Sequence, residues 1–480
     1  MPRSGEANMR TNAGAGDIIT KANTVFIVIS FEGPDQYSMA GGLGTRVTHL
    51  SRSLAEMGFV THFFFIGDPN RPGEGTDTER RLHLYRWCQW ISKYHHMGVY
   101  DGENQKLRDF NGSLPPFVTE RVVKPALDEG KLVVILGEEW HTAEAMIHIS
   151  DLLRSQAVRD RVVMFWNANN TFGFDRIDWH RLARESTITT VSRYMKHNMW
   201  RLGVNPLVIP NGIPVALLNR VDDHAAGQAR AAAGGDVLLT KVARYDPDKR
   251  WKMAIEATAM LKYAGQRSIL LARGGIEPHG REVMDAARAL GLILKEVYLN
   301  GESPEDYPKA IQNQGGADIL ELKSPCSQDF LRLLYRASDA VLANSRHEPF
   351  GLVGLETMAA GGVAFLGGTG EDYANHLRNC VVLETEDPEE IGDYAMYLLN
   401  HPHEAERIRE EGRNTASQFT WGAAIANLIR KLEYQAQVQG VLERSPLRRE
   451  KVVKHTEGRS DSAPLPATVA SHQPVLAGRF

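Results

Sequence analysis

The sequence predicts an α/β protein made of two doubly wound, Rossmann-like domains. Its 480 residues exceed the roughly 250–300 at which a single hydrophobic core usually stops growing. Short apolar, β-branched runs alternate with amphipathic helical stretches, the pattern of a parallel sheet covered on both faces. That alternation runs through twice, with a break near the middle of the chain.

In the first half, residues 25–30, 61–66, 132–136, 161–165 and 187–191 read as strands. Residues 47–57 read as a helix closing at Gly58, and 192–202 as a helix with Ser192 as its N-cap. Residues 207–210 then lead into the turn Asn211-Gly212. The stretch 214–236 is rich in Ala, Asp and Gly and reads as a linker carrying a short helix. Strands resume at 237–243, 268–272, 296–299, 319–322, 340–343 and 363–366, with helices at 251–264 and 281–290. The expected division is a disordered start (1–21), a first domain (22–213), the linker (214–236), a second domain (237–418), a closing helix (419–438) and a disordered tail (439–480), which has little apolar periodicity.

Composition narrows the function. A chain that is 42% hydrophobic and 24% charged is ordinary for a soluble globular protein. A formal net charge of −4 and the lack of a long basic run before the tail argue against nucleic acid as a partner. No apolar run approaches the about twenty residues that span a bilayer, and the first twenty residues have no signal-like apolar core. Three scattered cysteines, Cys88, Cys326 and Cys380, have no metal-like spacing and predict a reducing, cytoplasmic setting.

The most informative segment is Ser345-Arg-His-Glu-Pro-Phe-Gly-Leu-Val-Gly-Leu-Glu-Thr-Met-Ala-Ala-Gly361. Pro349 and Gly351 mark a turn into a helix, with Glu348 at its mouth and Glu356 about two turns down. Helix-start N–H groups near Phe350, Gly351 and Leu352 suit a phosphate or sugar oxygen, and carboxylates accept hydrogen bonds from polyol hydroxyls. Spacing alone equally allows Glu348 to favour the helix dipole and Glu356 to be a solvated surface residue. Arg244 and Lys249 follow the first strand of the second half, where such sheets bind ligands. Two cations there can neutralise a diphosphate or simply answer Asp246 and Asp248.

In the first half, Gly41-Gly42-Leu43-Gly44 lies between a strand and a helix starting near Thr45, and glycine lets a backbone approach a ligand closely. It is a poor dinucleotide fingerprint, because position 47 is Val and eleven residues separate Gly42 from the strand's end. Glu138-Glu139-Trp140-His141 follows another strand. Trp166-Asn-Ala-Asn-Asn places Asn167, Asn169 and Asn170 after a third, as amides suited either to sugar contacts or to Asx turns.

Taken with its surroundings, the Glu348–Glu356 segment resembles the donor-site signature of retaining, nucleotide-sugar-dependent glycosyltransferases of family 4, which have the GT-B fold. Further similarities are Pro210-Asn-Gly-Ile213, Phe330-Leu-Arg-Leu-Leu-Tyr335 and Phe419-Thr-Trp421. The resemblance is specific over about residues 207–433 and looser over 25–202. It implies that Glu348 holds a hydroxyl of the transferred sugar, that Glu356 holds the ribose, and that Arg244 and Lys249 clamp the diphosphate. It also implies that the Gly42/Gly44 loop faces the donor phosphates and that the closing helix crosses back to the first domain. Arg250 stands where the family usually has Gly. Aligned on Glu-Trp, Glu138 occupies the place of the His that lies beside the sugar in the glycogen synthase branch, leaving Glu138 or His141 for that polar work, with a structural His141 packed on Trp140 as the equal alternative, and Trp140, Asn167, Asn169 and Asn170 on the acceptor side. The expected partners are a nucleotide sugar and a saccharide or small-molecule acceptor, with no metal and no other cofactor. An epimerase or phosphorylase of the same fold, or a sugar-nucleotide-binding protein without turnover, is the alternative.

Overall fold

The computed structural model describes residues 19–441 apart from 300, 302–305, 313 and 369. Most of the two terminal segments expected to be disordered lies outside these residues. Where the start is described, Ile19 is buried and its N–H donates to Glu433 of the closing helix at 3.1 Å.

The first sheet contains β1 (Thr24–Ile29), β2 (Val60–Ile66), β3 (Glu74–Thr76), β4 (Leu82–Trp87), β5 (Leu132–Glu138), β6 (Val162–Ala168), β7 (Thr187–Thr190) and β8 (Leu207–Val208). Their order is β3-β4-β2-β1-β5-β6-β7-β8, parallel except where β3 runs against β4. The second sheet contains β9 (Val237–Val242), β10 (Ser268–Arg273), β11 (Leu294–Val297), β12 (Ile319–Leu322), β13 (Ala340–Ala343), β14 (Ala364–Leu366) and β15 (Val381–Val382). It is parallel throughout, in the order β11-β12-β10-β9-β13-β14-β15.

Both sheets are buried on both faces, which is why their strands read as continuous apolar runs. In β1, Val25, Ile27 and Ile29 join one hydrophobic cluster while Phe26 and Val28 join another. In β9, Val237 and Leu239 face one cluster and Leu238 the opposite one. In each sheet the chain reverses direction of winding beside its first strand, between β1 and β5 and between β9 and β13. Ligands of doubly wound sheets bind beyond the carboxyl ends of such strands.

The short helix expected within 214–236 is Asp223–Ala233, whose Ala226, Ala229 and Ala233 are buried with Leu238, Leu271 and Phe330 of the second sheet's core. Two other segments differ from the sequence reading. Residues 67–131 contain β3, β4 and the helix Glu103–Val118, which holds Pro115 and Pro116 and continues through a π-helical turn at Thr119–Val123. Prolines remove backbone donors and hide such a helix from a pattern search. The first helix spans Gly42–Glu56 rather than starting near Thr45, for a reason that belongs to the site below.

Chain crossing between the sheets is tightly built. Ile213 N–H donates to Phe419 O at 2.8 Å, and Trp421 N–H donates to Ile213 O at 3.2 Å. A Cβ on Gly212 would stand 2.5 Å from the Trp421 nitrogen, so only glycine fits. The helix Trp421–Gln439 then packs on the Gly42–Glu56 helix of the first sheet. Arg193 reaches the second half through Asp372, with its N–H at 3.0 Å and Nε at 3.2 Å. No helix among the described residues is long and apolar enough to cross a membrane.

Candidate functional site

Beyond the carboxyl end of β9, Asp246 caps a short turn, Pro247–Lys249, by accepting from Asp248 N–H at 2.8 Å. This turn aims Lys249 at Glu348, and the two form a partly buried ion pair. Ser345 Oγ donates to the same Glu348 oxygen at 3.1 Å. Asp248 binds His347 Nδ1 at 2.8 Å and its carbonyl accepts from Arg346 N–H at 2.8 Å, so the β9 and β13 loops are joined at several points. Arg244 is exposed, and among the described residues no hydrogen bond or ion pair engages its guanidinium. Arg250 adopts a left-handed conformation at φ 52°, which accounts for glycine being usual at this place in the family the sequence resembles. Its side chain turns away to Thr385 O and Glu386, both at 3.4 Å.

Gly351, at φ 81°, ends this loop, and the helix Leu352–Ala360 begins after it. Tyr373 Oη donates to Gly351 O at 2.5 Å, and Phe350 is buried against Tyr373 and Phe419. Glu356 follows on the helix. It is half-buried, and no described residue hydrogen-bonds its carboxylate. Burial alone pushes its carboxyl up to about 7, because a low-polarity setting disfavours the charged form. The structure therefore brings Lys249 and Glu348 into contact, with Arg244 on the Lys249 loop and Glu356 on the helix that follows Glu348.

The first sheet's carboxyl ends are arranged differently from the sequence reading. A residue the motif search passed over, Glu32, lies two positions beyond the β1 run and accepts from the N–H groups of Ala40 at 3.0 Å, Gly41 at 3.1 Å and Gly44 at 2.9 Å. Those donors at the helix start are thus engaged by an internal carboxylate, and the helix begins at Gly42. A Cβ on Gly44 would stand 2.9 Å from that carboxylate, which requires glycine there. Tyr100 Oη closes the arrangement by donating to the other Glu32 oxygen at 2.5 Å.

Glu138 is buried and held by Arg46, from Nε at 3.0 Å and Nη2 at 3.2 Å. Asn167 and Asn169 donate their side-chain amides to it at 3.0 and 2.9 Å. Glu139, in a strained conformation at φ 69°, accepts from the N–H groups of Asn169 and Asn170. Burial pushes its carboxyl up to about 8, against the lowering effect of those N–H donors. His141 is sandwiched between Phe31 at 4.3 Å and Trp140 at 3.8 Å between ring centroids, and its Nε2 meets Glu103 at 2.8 Å. Trp140 itself carries the Arg176 guanidinium 4.7 Å from its ring centre. Asn170 Oδ1 accepts from Phe172 N–H at 2.7 Å, an Asx turn. Of the residues expected on the acceptor side, Asn167 and Asn169 thus hold Glu138 with their side-chain amides, Asn169 and Asn170 hold Glu139 with their backbone N–H groups, and Trp140 stacks on His141.

Residues 225–415 match the family model of glycosyl transferases group 1. Among curated proteins, the D-inositol 3-phosphate glycosyltransferase of Geodermatophilus obscurus is 27% identical over 226 residues, 46% of this chain and 46% of that one. The protein of the same description from Thermobispora bispora is 32% identical over 117 residues, 24% of this chain and 27% of that one. The matches thus span less than half the length of these two relatives. Among solved structures, sucrose-phosphate synthase from Thermosynechococcus elongatus superposes with a TM-score of 0.61 at 18% identity, covering 86% of this chain and 100% of that one. The catalytic domain of Starch Synthase IV from Arabidopsis thaliana, bound to ADP and acarbose, gives 0.63 at 15% identity, covering 86% and 99%. Anabaena Alr3699/HepE in complex with UDP gives 0.57 at 12% identity, covering 85% and 100%. With two α/β sheets in the order described, the chain has the two-domain, Rossmann-like GT-B fold.

Proposed function

We propose that the protein is a retaining glycosyltransferase that moves a sugar from a nucleoside diphosphate sugar, bound by the second sheet, to a saccharide or small-molecule acceptor on the first. The observation that carries this reading is Glu356: a half-buried carboxylate, without a hydrogen-bond partner among the described residues, on the helix that follows the Lys249–Glu348 pair. Such a group is costly to leave unpaired, and the vicinal hydroxyls of a ribose would satisfy it. The group 1 match over residues 225–415 supports the assignment, as do neighbours of the same fold described with UDP or ADP.

In this mechanism the bond from the anomeric carbon to the diphosphate breaks and a bond to the acceptor oxygen forms on the same face. The acceptor's proton passes to the leaving phosphate. Arg244, Lys249 and the N–H groups at the start of the Leu352–Ala360 helix stabilise the charge that develops there, without a dedicated enzymic base. Glu348 holds a sugar hydroxyl and orients Lys249. No metal or other cofactor takes part, and the three free cysteines fit a cytoplasmic setting.

One observation favours a second reading. Glu138, at the place of the sugar-side His, is consumed by Arg46, Asn167 and Asn169, which fits a protein that binds a sugar nucleotide without transferring it. Incubation with UDP-, GDP- and ADP-sugars and a panel of acceptors, followed by product analysis, tests both. An α-linked glycoside formed from an α-linked donor is expected; an inverted linkage refutes retention, and stabilisation of the protein by a donor with no product selects the second reading.

A further inference from the structure

Lys241 is the least expected residue of β9. It is 1% exposed, and its ammonium has no carboxylate partner among the described residues. Nζ donates to Leu342 O at 3.0 Å and to Asn344 Oδ1 at 2.6 Å, both at the carboxyl end of β13. On its other side it lies 5.6 Å from the centre of the Trp251 ring, whose Nε1 donates to Arg244 O at 2.8 Å. Asn344 is fully buried, gives its amide to Met253 Sδ at 3.4 Å, and is followed directly by Ser345, the donor to Glu348. The charged groups facing Lys241 are Lys249 and Arg250 from the β9 loop, which oppose its charge, and Glu348 from the β13 loop, which favours it. An apolar side chain would suit the centre of a parallel sheet at far lower cost than an unpaired cation.

We propose that Lys241 is a positioning residue of the donor site: it fixes Asn344, and so the Ser345–Glu348 turn, while its contact with Trp251 steadies the backbone that carries Arg244. This rests on the donor-site reading above. One buried amine thereby sets both loops of the crevice where β9 and β13 part. Burial holds its pKa down at about 7, so it loses its charge in the folded state as pH rises through neutrality. The unfolded chain keeps that proton up to about pH 10.5, so the contribution of Lys241 to stability grows as pH rises from 7 to 10.5.

The test uses the full chain and three variants: Lys241→Met, Asn344→Leu and the double variant. Lys241→Met alone leaves Asn344 Oδ1 buried and unsatisfied and is expected to lose melting temperature or to fail to fold. The double variant replaces both partners by apolar groups, which is close to neutral for stability. Its melting temperature should return to within a few degrees of wild type and should lose the gain between pH 7 and 10. Affinity for whichever of UDP, GDP and ADP most stabilises the wild type should still be about tenfold weaker. Recovery of nucleotide affinity together with stability would make Lys241 merely structural and overturn the proposal, as would an unchanged pH dependence in the double variant. If none of the three nucleotides binds the wild type, the donor-site reading itself fails and the proposal falls with it.

Discussion

The Arg46 guanidinium grips the Glu138 carboxylate with two parallel hydrogen bonds, from Nε at 3.0 Å and Nη2 at 3.2 Å. Its remaining nitrogen, Nη1, donates to Asn211 Oδ1 at the crossing between the sheets. One side chain thus ties the glycine-loop helix, the end of β5 and the interdomain crossing together. Both partners of the ion pair are buried, at 4% and 2% exposure, so removing one leaves an uncompensated charge. Arg46→Met should cost about 3–5 kcal/mol in urea unfolding. Replacing both Arg46 and Glu138 by Met should cost clearly less. Equal losses in the single and double variants would mean that shape rather than charge decides.

Glu356→Ala is expected to weaken nucleotide binding, and Glu348→Ala to lower turnover by freeing the sugar and releasing Lys249. Hydrogen bonds to a charged group are worth about 1.5–3 kcal/mol, so each loss should be on the order of tenfold to a hundredfold. Calorimetry with the nucleoside diphosphate and steady-state kinetics with the donor sugar separate the two effects. Wild-type values in both variants would remove the donor assignment.

Arg244→Ala should weaken diphosphate binding more than Lys249→Ala. The Arg244 fork has no other partner among the described residues, whereas Lys249 already serves Glu348. Arg250 will not substitute for Lys249, since it faces Thr385 and Glu386. Unaltered affinity in the Arg244/Lys249 double variant would exclude a diphosphate clamp on this loop.

The sheets were legible because parallel strands buried on both faces leave long apolar runs, as in β1 and β9, and because Gly351 and Asn211-Gly212 mark turns that only certain residues can make. The second-sheet loops were legible through the family resemblance: spacing alone left Lys249 and Glu348 open to being surface charges, and their contact across two turns shows only in the structure. The first-sheet site was not. Glu138 and His141 stand at the right strand end, yet their partners Arg46 and Glu103 are 92 and 38 positions away, and nothing local signals such pairs. Glu32 was missed because a lone carboxylate near a strand end is common, and only the backbone course of residues 40–44 reveals what it binds. Lys241 was missed because a lysine in a strand reads as an edge or surface position.

Glu139 gives a prediction about pH. Its carboxyl, 1% exposed, is raised from 4.5 to about 8 in the folded protein. Between those values the folded state keeps a proton that the unfolded chain has lost, so the contribution of Glu139 to stability is greatest below pH 4.5 and declines as pH rises towards 8. Glu139→Gln imitates the protonated form and can still accept from the Asn169 and Asn170 N–H groups. Relative to that variant, wild type should lose up to about 1.4 kcal/mol per pH unit across the window. Parallel unfolding curves at pH 5, 6.5 and 8 provide the measurement, and a constant difference would show that Glu139 titrates normally.

Transfer should also proceed without a divalent cation. Asp246 and Asp248 form the sole Asp-x-Asp sequence on the β9 loop, and both are already committed. Asp246 caps the Pro247–Lys249 turn, and Asp248 holds His347 through its ring and backbone nitrogens at 2.8 and 3.3 Å. A hard cation needs several free oxygen ligands in a compact shell, and recruiting these two would break the joint between the β9 and β13 loops. Arg244 and Lys249 flank the pair and would repel a cation while supplying the positive charge that the leaving diphosphate requires. Initial rates with excess chelator should therefore stay close to those without it, and Asp248→Asn should shift them through His347 and loop geometry rather than through metal dependence. A rate that collapses on chelation and returns with magnesium or manganese would show that these carboxylates open to bind metal during turnover.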